Sequence, residues 1–176
     1  MAKLFTDEFM PLNIAILTVS DSRDAASDSS GDFLVASAQE AGHQVLEKTI
    51  VIDDVYKIRE ILSRWIADTA TQVVIITGGT GYTERDSTPE AVIPLFDKTI
   101  EGFGELFRHI SIRTIGSSTV QSRAVAGLAN DVLIFCIPGS TNACRQAWDE
   151  IICSQLDSRH KPCNFALRVK KIKADV

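Results

Sequence analysis

The segment Thr77-Gly78-Gly79-Thr80-Gly81-Tyr82-Thr83-Glu84-Arg85-Asp86-Ser87-Thr88-Pro89-Glu90 sets glycines, hydroxyls, a guanidinium and a carboxylate between an apolar run and a helix start. Glycines let a ligand lie against bare backbone, and free N–H groups can receive an anion. Asp86 keeps a carboxylate at hand for a metal or a proton. The preceding Val73-Val74-Ile75-Ile76 reads as a buried strand. Thr88 before Pro89 predicts an N-cap with proline at the first helical position.

Other chemistry-bearing residues stand at the ends of expected strands, of which Val45–Ile52 is an alternating one. Ser20 and Asp21 follow Leu12–Val19, Asp53 follows Val45–Ile52, and Pro138-Gly139-Ser140 follows Asp131–Ile137. The hydroxyl-rich stretch Ser117-Ser118-Thr119-Val120-Gln121-Ser122-Arg123 predicts a turn leading into a short helix. Glycine amides, Ser and Thr hydroxyls, Arg85 and Arg123 suit phosphates. Asp21, Asp53 and Asp86 suit Mg²⁺, which takes carboxylates together with substrate phosphates. That set points to phosphoryl or nucleotidyl transfer, where positioning and charge neutralisation carry most of the catalysis. Plainer roles stay open at this level: a turn or cap for Asp21 and Asp53, an ion pair for Arg123, a tight turn for Gly78-Gly79.

Several alternatives are excluded. The chain has no G-x-x-x-x-G-K-[ST] loop, no G-x-G-x-x-G after a strand and no G-x-S-x-G elbow. His43, His109 and His160 lie far along the chain from the glycine loop, which disfavours a hydrolase triad.

The elements that must position these residues are periodic enough to read. Continuous apolar runs at Leu12–Val19, Gln72–Ile76 and Asp131–Ile137 predict strands covered on both faces. A helix is expected from about Gly31 to Gly42, and another where Val55, Ile58, Ile61, Leu62, Trp65 and Ile66 recur at three and four. Asp54 suits the cap of that second helix. A further helix is expected over Phe103–Ile112, after Gly102 and Gly104, and a last one over Thr141–Cys153. Strands alternating with amphipathic helices make an α/β protein, a three-layer α/β/α sandwich with a mostly parallel central sheet. In such sheets ligands bind outside the carboxyl ends of the strands, so Ser20-Asp21, the glycine loop and Pro138-Gly139-Ser140 should share one rim.

Composition bounds the rest. The chain has 176 residues, 45% hydrophobic and 23% charged, which is one globular domain over about 12–165 with short flanks at 1–11 and 166–176. A net charge of −5 argues against nucleic acid as partner. The basic cluster Arg168, Lys170, Lys171 and Lys173 reads as a frayed, solvated tail. No apolar run approaches the roughly 20 residues that span a bilayer. The first ten residues do not read as a signal peptide. Cys136, Cys144, Cys153 and Cys163 form no C-x-x-C pair and are expected as buried, reduced thiols of a cytoplasmic protein.

Taken in order, Thr18-Val19-Ser20-Asp21, Gly78-Gly79-Thr80-Gly81, Arg85-Asp86, Thr88-Pro89-Glu90, Glu101–Arg108, Gln121–Gly127 and Pro138-Gly139-Ser140-Thr141 resemble the signature of the MoaB/Mog family of molybdenum cofactor biosynthesis proteins. The resemblance runs from about residue 12 to residue 165. It implies the molybdopterin-binding fold, with adenylylation of molybdopterin by Mg-ATP as the activity and ATP as co-substrate. It assigns Asp53 and Asp86 to catalysis and to Mg²⁺. By the same resemblance the Ser117-Ser118-Thr119 and Ser122-Arg123 segments grip the pterin phosphate. Ser20, Asp21, Thr77, Gly78, Gly79, Thr80, Gly81, Pro138, Gly139 and Ser140 border the pterin. A homo-oligomer, trimer or hexamer, is implied as well, with Phe103, Leu106 and Phe107 as possible contact positions. A non-catalytic molybdopterin- or precursor-binding protein is the alternative, since Gly139-Ser140-Thr141-Asn142 departs from the Gly-x-Pro of Mog-type enzymes.

Overall fold

The fold is taken from a computed structural model and is described for residues 5–171. Six strands, β1 (Asn13–Val19), β2 (Gln44–Val51), β3 (Val73–Thr77), β4 (Lys98–Thr99), β5 (Val125–Ala129) and β6 (Val132–Ile137), form one sheet in the order β2-β1-β3-β6-β5-β4. The first four in that order are parallel; β5 runs antiparallel to β6, and β4 antiparallel to β5. Six helical segments cover it: α1 (Ser29–Glu40), α2 (Val55–Ala67), α3 (Thr88–Val92), α4 (Glu101–Ile115), α5 (Thr141–Ala147) and α6 (Cys153–Leu156). A π turn over Trp148–Ile152 joins α5 to α6.

Successive strand residues point to opposite faces, so the continuous apolar runs feed two cores. Ile14, Ile16, Val73, Ile75, Leu133 and Phe135 pack with α1, α4 and α5 through Leu34, Ala38, Phe103, Phe107 and Ala147. Ala15, Leu17, Val74, Ile76 and Ile134 face α2 and α3 through Ile58, Leu62, Trp65 and Val92. The result is the three-layer α/β/α sandwich with a mostly parallel sheet. Among the described residues no helix is long and apolar enough to cross a membrane.

The structure corrects several local expectations. Helix α4 starts at Glu101 and contains both glycines; a side chain at Gly104 would come within 2.5 Å of the Ala124 carbonyl, so glycine is kept there for close approach. Phe103 and Phe107 are core residues, while Leu106 is exposed. After the turn Gly116–Gln121 comes the β5–β6 hairpin in place of a short helix. Helix α3 is preceded by Ser87 at the cap position; the Thr88 hydroxyl instead donates to the Gly78 carbonyl at 2.9 Å. Asp54 does cap α2, accepting from the amides of Tyr56 and Lys57.

The basic tail is not frayed through residue 171. Ala166 and Val169 are buried, Lys170 Nζ donates to the carbonyls of Ile66 and Asp68, and its own carbonyl accepts from Gln72 Nε2. Lys173 lies outside the described residues. Of the thiols, Cys136 and Cys144 are buried, Cys153 is partly so, and Cys163 is exposed.

Candidate functional site

The carboxyl ends of β1, β3 and β6 open into one cavity of about 570 Å³. Its floor exists because three backbones meet closely. Gly78 has φ +103°, and a Cβ there would run into the Val19 carbonyl; a Cβ on Gly139 would lie 3.1 Å from the Gly78 Cα. Gly78 N–H donates to the Ile137 carbonyl at 3.1 Å, and the Thr77 hydroxyl to the Pro138 carbonyl at 3.1 Å. A larger residue at 78 would push the loops after β1 and β3 apart, and one at 139 would crowd the Gly78 backbone.

Ser20, Thr77, Gly78, Gly79, Thr80, Gly81, Asp86, Ser118, Ser122, Pro138, Gly139 and Ser140 line the cavity. Six expected residues, Asp21, Asp53, Arg85, Ser117, Thr119 and Arg123, do not. Thr119 is buried, its hydroxyl donating to the Arg108 carbonyl at 3.0 Å, and Ser117 is exposed outside the wall. Arg123 lies behind the glycine loop: it donates to the carbonyls of Thr80 and Asp86, pairs with Glu90 and sits over the Tyr82 ring. It braces the loop rather than facing the cavity. Asp21 pairs with Arg85 at 2.8 Å and accepts the Asp53 N–H, so Arg85 is also engaged at the rim.

Asp53 stands under the loop. Its Oδ1 accepts from the Ser87 amide at 3.0 Å and hydroxyl at 2.5 Å, while Oδ2 turns toward Gly79, where an added Cβ would lie 2.5 Å away. Burial, followed by the charges of Asp86 and Asp21, raises its pKa despite the Ser87 bonds. Asp86 lies under Gly81, its carboxylate accepting from the Thr83 amide and hydroxyl. Burial opposes its ionisation, but those bonds and the Arg123 charge hold its pKa below the ordinary value. Two carboxylates flanking one glycine loop are thus pushed in opposite directions.

Asp53 and Asp86 are the carboxylates that could hold a hard cation. Mg²⁺ binds through one or two carboxylates plus substrate phosphates and retained waters. Asp53 and Asp86 supply two, and no group of three or more His, Cys, Asp or Glu suited to a metal occurs among the described residues. The loop amides and hydroxyls fit phosphates, since none of them brings a net negative charge.

Residue-type reasoning singled out neither Arg23 nor Thr18, Ile115 and Gln121, yet all four line the cavity. Arg23 Nη2 donates to the Gly139 carbonyl at 3.0 Å. Behind it Asp28, fully buried, caps α1 through the Gly31 amide and accepts from the Thr18 hydroxyl at 2.8 Å. Burial works against its charge, but Gly31, Lys48 and Thr18 outweigh it and depress the pKa. The signal available was position alone: Arg23 lies three residues past the first Ser of the β1 loop. A second cavity of about 560 Å³ adjoins the first, sharing Ile115, Ser122, Pro138 and Ser140 and extending between α4 and α5 to Gln146 and Asp149.

Comparison with known proteins agrees with this geometry. Residues 15–158 match the family described as "Probable molybdopterin binding domain". The chain is 59% identical over 164 residues to molybdenum cofactor biosynthesis protein B of Escherichia coli K12, covering 93% of this chain and 96% of that protein. A crystal structure of a molybdenum cofactor biosynthesis protein B superposes with a TM-score of 0.81 at 42% identity, over 84% of this chain and 92% of the other. The tungsten cofactor synthesizing protein MoaB of Pyrococcus furiosus superposes with a TM-score of 0.72 at 34% identity, over 80% and 90% of the two chains. The family match over residues 15–158, the 59% identity over most of both chains and the superposition together mean that the chain belongs to the molybdopterin-binding domain family, in its MoaB/Mog group.

Proposed function

We propose that this protein binds molybdopterin in the glycine-floored cavity and transfers AMP to it from Mg-ATP. At the coarser level its role is molybdenum cofactor biosynthesis, the role its Escherichia coli relative carries in its name. The observation that supports transfer is the pair of carboxylates at the loop, Asp53 under Gly79 and Asp86 under Gly81. A pterin phosphate oxygen attacks the α-phosphorus of ATP, the new P–O bond forms, and pyrophosphate leaves with the electrons of the broken bond. Mg²⁺ held by Asp53 and Asp86 would supply charge neutralisation on the ATP phosphates. The chain's own part is to hold: Gly79, Thr80, Ser118 and Ser122 line the space that would receive phosphate, while the Gly81 amide holds the Asp86 carboxylate. Arg123 keeps the loop in register by its bonds to Thr80 and Asp86. In this reading the protein is a cytoplasmic homo-oligomer.

A pterin-binding protein without transfer is the second reading, favoured by Asp53, whose Oδ1 is already held by two Ser87 donors. The assay that separates them mixes purified protein with molybdopterin, ATP and Mg²⁺ and follows adenylylated pterin and pyrophosphate. Transfer requires Mg²⁺-dependent product that disappears in Asp86→Asn while pterin binding persists. Tight pterin binding with no product in the parent refutes transfer and leaves the binder.

A further inference from the structure

Three guanidinium groups lie near the rim, and two are committed elsewhere: Arg85 to Asp21, Arg123 to Glu90 and two loop carbonyls. Only Arg23 lines the cavity. An arginine carries five N–H donors in a rigid fork. Arg23 uses Nη2 on the Gly139 carbonyl at 3.0 Å and Nη1 on Asp28 at 3.5 Å, and its Nε–H has no partner among the described residues. Its guanidinium is therefore oriented from behind and left with donors for a ligand in front.

The charge arrangement behind it favours the same role. Asp28 is fully buried, and a strong charge-assisted bond runs about 2.7–2.9 Å. The Arg23 contact is longer than that. Lys48 Nζ, at 3.0 Å from Asp28, is its closer cation, and Lys48 also pairs with Asp32 at 2.5 Å. Asp28 thus anchors Arg23 without fully neutralising it. The α1 geometry makes room for this: a Cβ on Gly31 would collide with the Asp28 carboxylate and lie 2.7 Å from the Thr18 hydroxyl.

We propose that Arg23 is the cation that grips a ligand phosphate in the cavity, and that Asp28, through Lys48-balanced pairing, is the positioning residue that aims it. The ligand class is a phosphomonoester or a pyrophosphate-bearing molecule. Its identity as molybdopterin or ATP rests on the proposed function, whereas the phosphate grip does not.

The test is calorimetric binding of two probes, molybdopterin and inorganic pyrophosphate, to the full chain. Arg23→Ala should weaken the phosphate ligand roughly 10- to 100-fold, the range of a lost charge-assisted bond. Arg23→Lys should restore part of it, because a point charge replaces the fork. Asp28→Asn should weaken binding when Arg23 is present and add nothing in the Arg23→Ala background; additive losses would mean a purely structural Asp28. Lys48→Gln, which leaves Asp28 to draw the Arg23 charge, should likewise weaken binding only when Arg23 is present, and it serves if Asp28→Asn does not fold. Molybdopterin bound equally by parent and Arg23→Ala overturns the grip and spares the proposed function. Pyrophosphate bound through Arg23 with no affinity for molybdopterin does the reverse. A parent that binds neither probe overturns both.

Discussion

Substituting single glycines of the loop tests whether its backbone holds the carboxylates in place. Gly79 has φ +62°, and its Cβ would meet the Thr88 hydroxyl and, at 2.5 Å, Asp53 Oδ2. Gly79→Ala therefore carries about 1–2 kcal/mol of left-handed backbone strain. It must also displace a group that is already bonded. Moving Thr88 leaves the Gly78 carbonyl without its donor, at about 1–3 kcal/mol. The expected destabilisation is about 2–4 kcal/mol, the sum of both at partial relaxation. Gly81→Ala meets only the Asp86 carboxylate, at 2.7 Å, and its φ lies outside the positive region. That carboxylate is partly exposed and can turn to water, but it gives up its Thr83 bonds in doing so, so the cost to stability is about 1–2 kcal/mol. On the proposed transfer its effect should be larger, because a displacement of about 1 Å at a reacting centre costs on the order of a hundredfold. Gly102→Ala, with nothing within 4 Å of the added Cβ, is the control and should gain about 0.5–1 kcal/mol from helix propensity. Urea denaturation of the three variants, with pyrophosphate release at saturating substrates, reads both effects. Gly79→Ala as stable as the parent, or Gly81→Ala the more destabilised of the two, refutes the account of the loop.

Two further substitutions probe charge. Asp53 has its folded pKa raised, so its contribution to stability is present below the unfolded value of 3.8 and lost as pH rises through the folded value. Asp53→Asn, which keeps an oxygen for Ser87, should melt higher than the parent at neutral pH, with a lead that shrinks as the solution is acidified; melts across pH 4–7 check this, and a variant that melts lower would sink it. Mg²⁺ with ATP should raise the melting temperature of the parent but not of this variant. Glu47 has the opposite sign: bonds from Arg64, at 2.8 and 2.9 Å, and from Trp65 hold its pKa at about 2 against the opposing effect of burial. Glu47→Gln should cost about 1 kcal/mol at neutral pH after discounting for solvent screening. That difference should fade as pH drops from 4.5 toward 2, where parent and variant converge in denaturant melts.

The sequence displayed those parts of the fold whose stabilisation is local or strongly apolar. β1, β3 and β6 are unbroken apolar runs, and α2 repeats its apolar residues at helical spacing. β5, with Val125-Ala126-Gly127-Leu128-Ala129, has small residues of weak strand propensity and is a strand because β6 pairs with it. In α4 the glycines argue against a helix locally, but close packing at Gly104 decides otherwise. The site divides the same way. Strand ends located the glycine loop, Ser20 and Pro138–Ser140, since the rule depends only on strand direction. Arg23 was not legible, because the carbonyl that orients it belongs to Gly139, 116 residues away. Arg123 was legible as a cation near phosphate, but its partners at Thr80, Asp86 and Glu90 turn it to the back of the loop.

That span of 116 residues between Arg23 and Gly139 has a bearing on synthesis in the cell. The cavity takes one wall from the first strand, its floor from the third and its far wall from the residues after the sixth, so no shorter N-terminal product contains it. A nascent chain can pair β1 with β2 and β3 well before β6 exists, and it carries the exposed edge of β3 until then. Ligand cannot rescue such an intermediate, because the Gly139 carbonyl that holds Arg23 has not yet been made. A chain that ends between β3 and β6 therefore leaves the β3 edge unpaired and lacks the far wall of the cavity.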